Sequence, residues 1–438
     1  FVLKLDSSGN LVWVKRIGSR TVTSIALDSS GNIYTTGDFS GTADFDPGPG
    51  TTNLTNSSGA NSAQDAFVSK WDSSGDLVWA KISAATSQNT IFESIAVDSS
   101  GNVYTTGKFS GTVDFDPGPG TTNLTWTNSN PDVFVSKLDS SGDLVWAANF
   151  DGASGGDGGA SVTVDSSGNA YFTGEFSSPA DFDPGAGTTT LTPTFREDED
   201  SCACNREVFV LKFGSSGDLV WAKSFGNWKG EEVESIAVDS SGNVYTTGKF
   251  SGTVDFDPGP GTTNLTWTNS NPDVFVSKLD SSGDLVWAAN FDGASGGDGG
   301  ASVTVDSSGN AYFTGEFSSP ADFDPGAGTT TLTPTFREDE DSCACNREVF
   351  VLKFGSSGDL VWAKSFGNWK GEEVESIAVD SSGNVYTTGR FSGTVDFDPG
   401  PGTTNLGYDD WTGFVSKLDS SGNLAPAVAA TPGTPGFT

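Results

Sequence analysis

The chain has 438 residues and a formal net charge of −35, from 22 basic and 57 acidic side chains. That balance argues against nucleic acid and anionic membrane surfaces as partners, since both select for lysine and arginine. No apolar run approaches the roughly 18 residues of a spanning helix, so no membrane insertion is expected. Histidine is absent, which removes the commonest general base and every triad built on it. With 57 glycines, 31 phenylalanines and 12 tryptophans, the composition is that of a globular chain able to bury a core. Methionine is also absent, so Phe1 is not a translation start; a processed N-terminus or a piece of a longer chain is expected.

The chain opens with two strand-like runs, Phe1–Leu5 and Leu11–Lys15, divided by Asp6-Ser-Ser-Gly-Asn10. From Ser24 onward a unit repeats, starting at Ser24, Ser94, Ser161, Ser235, Ser302 and Ser376. A longer period lies above it, because Ser94–Glu234 recurs unchanged as Ser235–Glu375. Each unit carries four runs of four to eight residues rich in Val, Ile, Phe, Tyr, Trp and Thr, which is strand composition. In the second unit these are Ser94-Ile-Ala-Val, Val103–Phe109, Phe134–Leu138 and Leu144–Ala147. Asp-Ser-Ser-Gly-Asn or Asp-Ser-Ser-Gly-Asp joins them in pairs, supplying an Asx acceptor and a glycine free to take positive φ. No helical period is visible.

Two tight hairpins per unit make a four-stranded antiparallel sheet, and several such sheets arranged radially make a propeller. The expected fold is therefore an all-β β-propeller of six four-stranded blades, or seven if the terminal half-blades form their own. One domain is expected over 1–423, with a half-blade at 1–23 and a Pro/Gly/Thr-rich tail at 424–438. The Ser-Ile-Ala-Val strand is placed innermost and Leu-Val-Trp outermost.

The pattern Phe-Val-x-Lys, Asp-Ser-Ser-Gly, Leu-Val-Trp, then Ile-Ala-Val-Asp-Ser-Ser-Gly-Asn-Val-Tyr-x-Thr-Gly resembles the SBBP class of bacterial β-propeller repeats. The resemblance covers nearly the whole chain. It implies a propeller and export to the exterior or cell surface of a bacterium, and it implies no reaction.

Every unit holds Asp-Phe-Asp-Pro-Gly. The aspartate pairs are Asp44 with Asp46, Asp114 with Asp116, Asp181 with Asp183, Asp255 with Asp257, Asp322 with Asp324, and Asp396 with Asp398. In extended backbone the two carboxylates share a face while the phenylalanine enters the core. Two readings stand side by side. The paired carboxylates with nearby carbonyls would suit a hard cation such as calcium; alternatively one Asp caps its own turn and the other pairs with the recurring lysine (Lys4, Lys70, Lys137, Lys212, Lys278, Lys353, Lys417). The recurring tryptophans Trp13, Trp79, Trp146, Trp221, Trp287 and Trp362 suit packing between blades, with sugar stacking as the other use. Cys202-Ala-Cys204 and Cys343-Ala-Cys345 sit in acidic loop tips as disulfide candidates. Gly155–Gly159 reads as a flexible connector.

Six copies of one motif do not make the single asymmetric constellation that catalysis needs, so no enzyme is expected. The expected role is an extracellular structural or adhesive protein, the propeller module of a surface layer, stalk or filament, with calcium as the one candidate cofactor. Self-association is the expected partnership. A glycan-binding propeller lectin is the alternative, using Trp126 and Trp267. The Phe-Val-x-Lys strand occurs seven times against six first hairpins. The surplus N-terminal half-blade would thus either complete the last blade, whose fourth strand is interrupted by Pro426, or dock on another subunit.

Overall fold

The computed structural model describes residues 1–19, 21–57, 64–85, 90–126, 131–150, 158–194, 206–227, 229–267, 272–291, 299–335, 347–368 and 371–425. Cys202, Cys204, Cys343, Cys345, Pro426 and most of the Gly155–Gly159 run lie outside them. Among the described residues there are strands and turns and no helix. The fold is a β-propeller of six antiparallel blades: five have four strands, and the sixth has three plus a lone bridge between Leu418 and Leu424. The opening runs form a separate two-stranded hairpin, Val2–Leu5 with Leu11–Lys15.

Contacts divide the chain into two compact units, Phe1–Lys4 with Leu11–Trp228, and Leu5–Asn10 with Lys229–Thr438. The first unit holds three blades. Its second blade runs Thr90–Val97, Val103–Phe109, Asp132–Leu138, Leu144–Phe150, hydrogen-bonded in that order. The second unit holds the other three, ending with Glu372–Val379, Val385–Asp396 and Asn405–Leu418.

The sequence explains the strand order. Each Asp-Ser-Ser-Gly turn closes one hairpin: Asp98 Oδ1 accepts from the amides of Ser100 and Asn102 (both 2.9 Å), and Gly101 takes φ +80°. The run between second and third strands forms a short hairpin of its own, Thr112–Asp114 with Asn123–Thr125. The second and third strands are buried on both faces, as in Val103–Phe109 and Asp132–Leu138. The fourth strand has a watery face: Val145 of Leu-Val-Trp is 50% exposed. In each unit the first strands of successive blades lie side by side, so Ser-Ile-Ala-Val is innermost.

The serine of that inner strand has a specific task. It offers its hydroxyl oxygen to an amide of the next blade's inner strand. Ser24 Oγ accepts from Ile95 N at 3.4 Å, Ser94 Oγ from Val162 N at 3.2 Å, and Ser235 Oγ from Val303 N at 3.2 Å. An inner edge strand would otherwise leave these buried amides unpaired. Replacing Ser235, itself only 9% exposed, by alanine should lower stability by about 1–3 kcal/mol, the cost of a buried unmet donor. Denaturant unfolding of S235A against wild type measures it; an unchanged midpoint would show that the serine is a passenger.

Candidate functional site

The six acidic turns are built alike. In the first, Asp44 Oδ1 accepts from the amides of Asp46 (3.0 Å) and Thr52 (2.8 Å), and Asp46 Oδ1 from the amide of Gly48 (2.7 Å). A Cβ on Gly50 would run into Asp46 Oδ2, so any other residue would have to push this carboxylate aside. The leading aspartates of the other turns, Asp114, Asp181, Asp255, Asp322 and Asp396, likewise accept two backbone amides each. The following aspartates each accept one, from the glycine two residues on: Asp116 from Gly118, Asp183 from Gly185, Asp257 from Gly259, Asp324 from Gly326, and Asp398 from Gly400. The intervening phenylalanine is buried each time, with Phe45 4.8 Å from the Phe67 ring.

One oxygen of each carboxylate is thus committed to backbone amides, which is the turn-capping reading of these residues. Among the described residues no three acidic or cysteine side chains converge to hold a metal ion. That applies to Asp44 and Asp46, to Asp114 and Asp116, and to Asp181 and Asp183. It applies equally to Asp255 and Asp257, to Asp322 and Asp324, and to Asp396 and Asp398. Among the described residues no third acidic side chain joins the two aspartates of a turn, and the neighbouring turn residues are glycine, proline and threonine. For calcium, which takes about 6–8 oxygens, the donors left in each turn are the two Oδ2 atoms and nearby carbonyls.

The recurring lysines go elsewhere than to these aspartates. Lys70 and Lys137 sit 5.0 Å over the rings of Tyr34 and Tyr104 on their own blades. Lys212, Lys278, Lys353 and Lys417 lie likewise over Tyr171, Tyr245, Tyr312 and Tyr386. The ammonium then reaches forward to a carbonyl in the next blade's turn. Lys137 Nζ donates to Ser215 O at 2.9 Å, Lys278 Nζ to Ser356 O at 2.9 Å, and Lys417 Nζ to Ser7 O of the opening hairpin at 3.3 Å. The tyrosine hydroxyl is shared too: Tyr104 OH lies 3.1 Å from both Asp98 Oδ2 and Gly168 O of the following blade. Burial, then the neighbouring aspartates, raise this phenol far above its ordinary range, so it stays a donor.

The tryptophans pack between blades. Four lie against the positive-φ glycine of the next blade's turn: Trp79 on Gly142, Trp146 on Gly217, Trp287 on Gly358, Trp362 on Gly422. Trp146 also stacks on Phe213, centroids 6.0 Å apart. Outside the recurring set, Trp126 leans on the second blade's core, and Trp267 lies under Lys229, 4.9 Å from its centroid.

One feature escapes a motif search. Glu372 is 1% exposed, and Glu348, 4% exposed, lies beside it against Gly367. Glu372 Oε2 accepts from Asn368 N at 2.9 Å, while its Oε1 has no hydrogen-bond partner among the described residues. Glu348 Oε1 takes the amide of Thr335, and Glu316 is paired with Arg347 at 3.1 Å. Burial, then the charges of Glu348 and Glu316, push the Glu372 carboxyl up to about 9. Its only legible trace in the sequence is a pair of adjacent acids opening a strand, a pattern that ordinarily marks a solvated end.

This architecture defines a β-propeller repeat protein in which, within each compact unit, lysine and tyrosine of one blade reach the turn of the following blade. Residues 12–41 and 78–108 match the SBBP family, described as a beta-propeller repeat. Over 455 aligned residues the chain is 24% identical to an uncharacterized WD repeat-containing protein of Acanthamoeba polyphaga mimivirus; the match covers 90% of this chain and 31% of that protein. The chain therefore spans about a third of the length of this relative. Similar solved structures include a protein of unknown function from Bacteroides caccae, at TM-score 0.38 and 10% identity, covering 83% of this chain and 89% of that one. The WD40 repeats of RRP9 align at TM-score 0.37 and 10% identity, over 88% and 92%.

The pH dependence follows from the two kinds of acid. For Asp306, burial pulls the carboxyl up, but bonds from Asn310 and Tyr312 outweigh it and hold it below its ordinary value. Its contribution is present above 3.8 and is lost as pH falls through the folded-state value. Glu372 runs the other way. Folding is unpenalised below 4.5, and stability is lost progressively as pH climbs towards about 9. E372Q, neutral at every pH, should match wild type near pH 4 and melt several degrees higher near pH 8. Equal melting curves at both pH values would show that Glu372 ionises freely.

Proposed function

We propose that this is a non-catalytic extracellular structural or adhesive protein, a rigid propeller module of a bacterial surface layer, stalk or filament. The observation that carries the reading is the uniform use of its reactive residues. Aspartate, lysine, tyrosine and tryptophan of each unit are engaged in the same turn or the same blade-to-blade contact, which makes a stiff repetitive body rather than one singular site. The high negative charge fits a solvated exterior. The SBBP-type repeats support export by resemblance alone. Self-association, and calcium at the Oδ2 atoms of the acidic turns, belong to the same proposal.

Two measurements test it. If calcium holds the acidic turns, the melting temperature should rise with calcium concentration, since a ligand of the native state alone stabilises by mass action. An identical midpoint in EDTA would leave the backbone amides as the only partners of these aspartates. Negative-stain images of native material should show ordered assemblies. Dispersed particles that bind a glycan array, with binding lost in W126A or W267A, would replace the structural reading with the lectin.

A further inference from the structure

Three of the blade-to-blade seams inside the compact units are closed by a phenylalanine that ends the fourth strand of one blade and lies on the Asp-Phe-Asp phenylalanine of the next. Phe150 stands 5.2 Å from Phe182, Phe291 5.4 Å from Phe323, and Phe366 5.2 Å from Phe397. Between the first two blades of the first unit that position is Ser83, just past the strand Leu77–Ile82. A ring comes from the other side instead. Phe92 stacks on Phe115, centroids 6.4 Å apart, and stands opposite Gly107 where the sixth blade sets Val374 opposite Gly389. The exchange leaves a cavity of about 20 Å³ whose walls include Val68, Ser83, Phe92, Phe115 and Leu138. Ser83 is 4% exposed, and its hydroxyl has no hydrogen-bond partner among the described residues.

Two further buried polar atoms of these blades lack a hydrogen-bond partner among the described residues, Thr90 Oγ1 and Asp38 Oδ2. Thr90 belongs to the second blade and gives its amide to Gln64 O of the first at 3.2 Å. Asp38 stands where the fifth blade has Glu316, which takes the amide of Val374 in the sixth blade at 3.1 Å. Aspartate is one methylene shorter. Bonds that do cross this seam are longer than those between the second and third blades. Lys70 Nζ reaches Ser140 O at 3.5 Å, against 2.9 Å for Lys137 Nζ and Ser215 O. Ser24 Oγ meets Ile95 N at 3.4 Å, against 3.2 Å for Ser94 Oγ and Val162 N. Tyr104 OH has Gly168 O ahead of it at 3.1 Å, whereas Tyr34 OH, among the described residues, hydrogen-bonds only Asp28 of its own blade. What holds the seam is Thr23 Oγ1 on Phe92 O at 2.6 Å and, at its solvated rim, Trp79 Nε1 on Ser140 O at 3.2 Å and Lys81 with Asp143 at 3.4 Å.

We propose that the first blade, with its four strands from Thr21–Leu27 to Leu77–Ile82, parts from the second at this seam while the second and third blades stay joined. Two terms lower the free energy of that opening. A void deprives the atoms on its walls of dispersion contacts, so less is lost when the walls separate. A buried polar atom without a partner regains water when the seam parts, which refunds its desolvation. Local opening of a folded protein is governed by such differences in contact and satisfaction between one region and the next. Parting bares the face that carries Phe92, Phe115 and Leu138, an apolar surface that the closed seam keeps from any partner. The inference goes beyond the structural reading and does not rest on it.

Hydrogen–deuterium exchange of the full chain, read by mass spectrometry on peptic fragments, tests it. The strand Asp65–Trp71 of the first blade should exchange at least ~10-fold faster than Asp132–Leu138 of the second. The latter has the same sequence as Asp273–Leu279, so those two strands are read together as the reference. Two variants repair the seam separately. S83F/F92V returns the ring to the outer strand, the arrangement of Phe366 and Val374, and D38E restores the longer carboxylate found at Glu316. Each should slow exchange of Asp65–Trp71 and leave the reference strands unchanged. D38E adds one methylene and no ring, so it carries the test if the swapped core does not fold. Equal rates for the two kinds of strand in the wild-type chain overturn the proposal. So does a difference that neither variant narrows, since it then arises outside this seam.

Discussion

Everything in this molecule depends on one constraint: a four-stranded sheet that is apolar on both faces has to be covered by another sheet on each side. The fourth-strand tryptophan of one blade is the main tool. It lies flat on the turn of the following blade, and the residue beneath it is a glycine at positive φ, where a Cβ would come within 2.9–3.2 Å of the ring. Lysine and tyrosine fasten the same seam with polar bonds, the ammonium on a turn carbonyl and the phenol near a glycine carbonyl. The turn is therefore both the end of one hairpin and the floor of its neighbour's tryptophan. This is why Ser-Ser-Gly recurs in these turns, even where glycine replaces the leading aspartate at Gly214 and Gly355.

The same seams manage the charge. A net charge of −35 works against compactness unless its carboxylates find donors. Here the turn aspartates collect backbone amides that would otherwise be unpaired, so much of the acidity stabilises local geometry. The buried glutamates, Glu207, Glu231, Glu348 and Glu372 among them, are the exception. Glu316 has Arg347 and Glu348 has an amide, while Glu372 keeps one oxygen without a partner among the described residues. A neutral carboxyl is the cheaper state in such surroundings.

Committing reactive side chains to inter-blade contacts leaves the outward surface chemically plain. The exposed valines of the fourth strands, Val78, Val145, Val220, Val286 and Val361, recur at one position per blade. Each of these strands also carries lysines or asparagines within a few residues of its valine, so the repeated face is amphipathic rather than greasy.

The sequence by itself determined the blade. Period-two runs of Val, Ile, Tyr and Phe, divided by Asp-Ser-Ser-Gly, specify four strands and their order, because both signals are local and act within a few residues. The burial of the Asp-Phe-Asp phenylalanine was legible for the same reason. The short hairpin carrying each acidic turn was not, since strands of two or three residues lie below the length at which alternation can be read. Only the tertiary structure decided where the lysines point. An ammonium on four rotatable carbons has no preferred partner in sequence, and the tyrosine below it and the carbonyl ahead of it come from a strand and a blade far along the chain. The same holds for Glu372: whether an acid at a strand is covered depends on which sheet stands next to it, and in a chain of near-identical units the local sequence is the same either way.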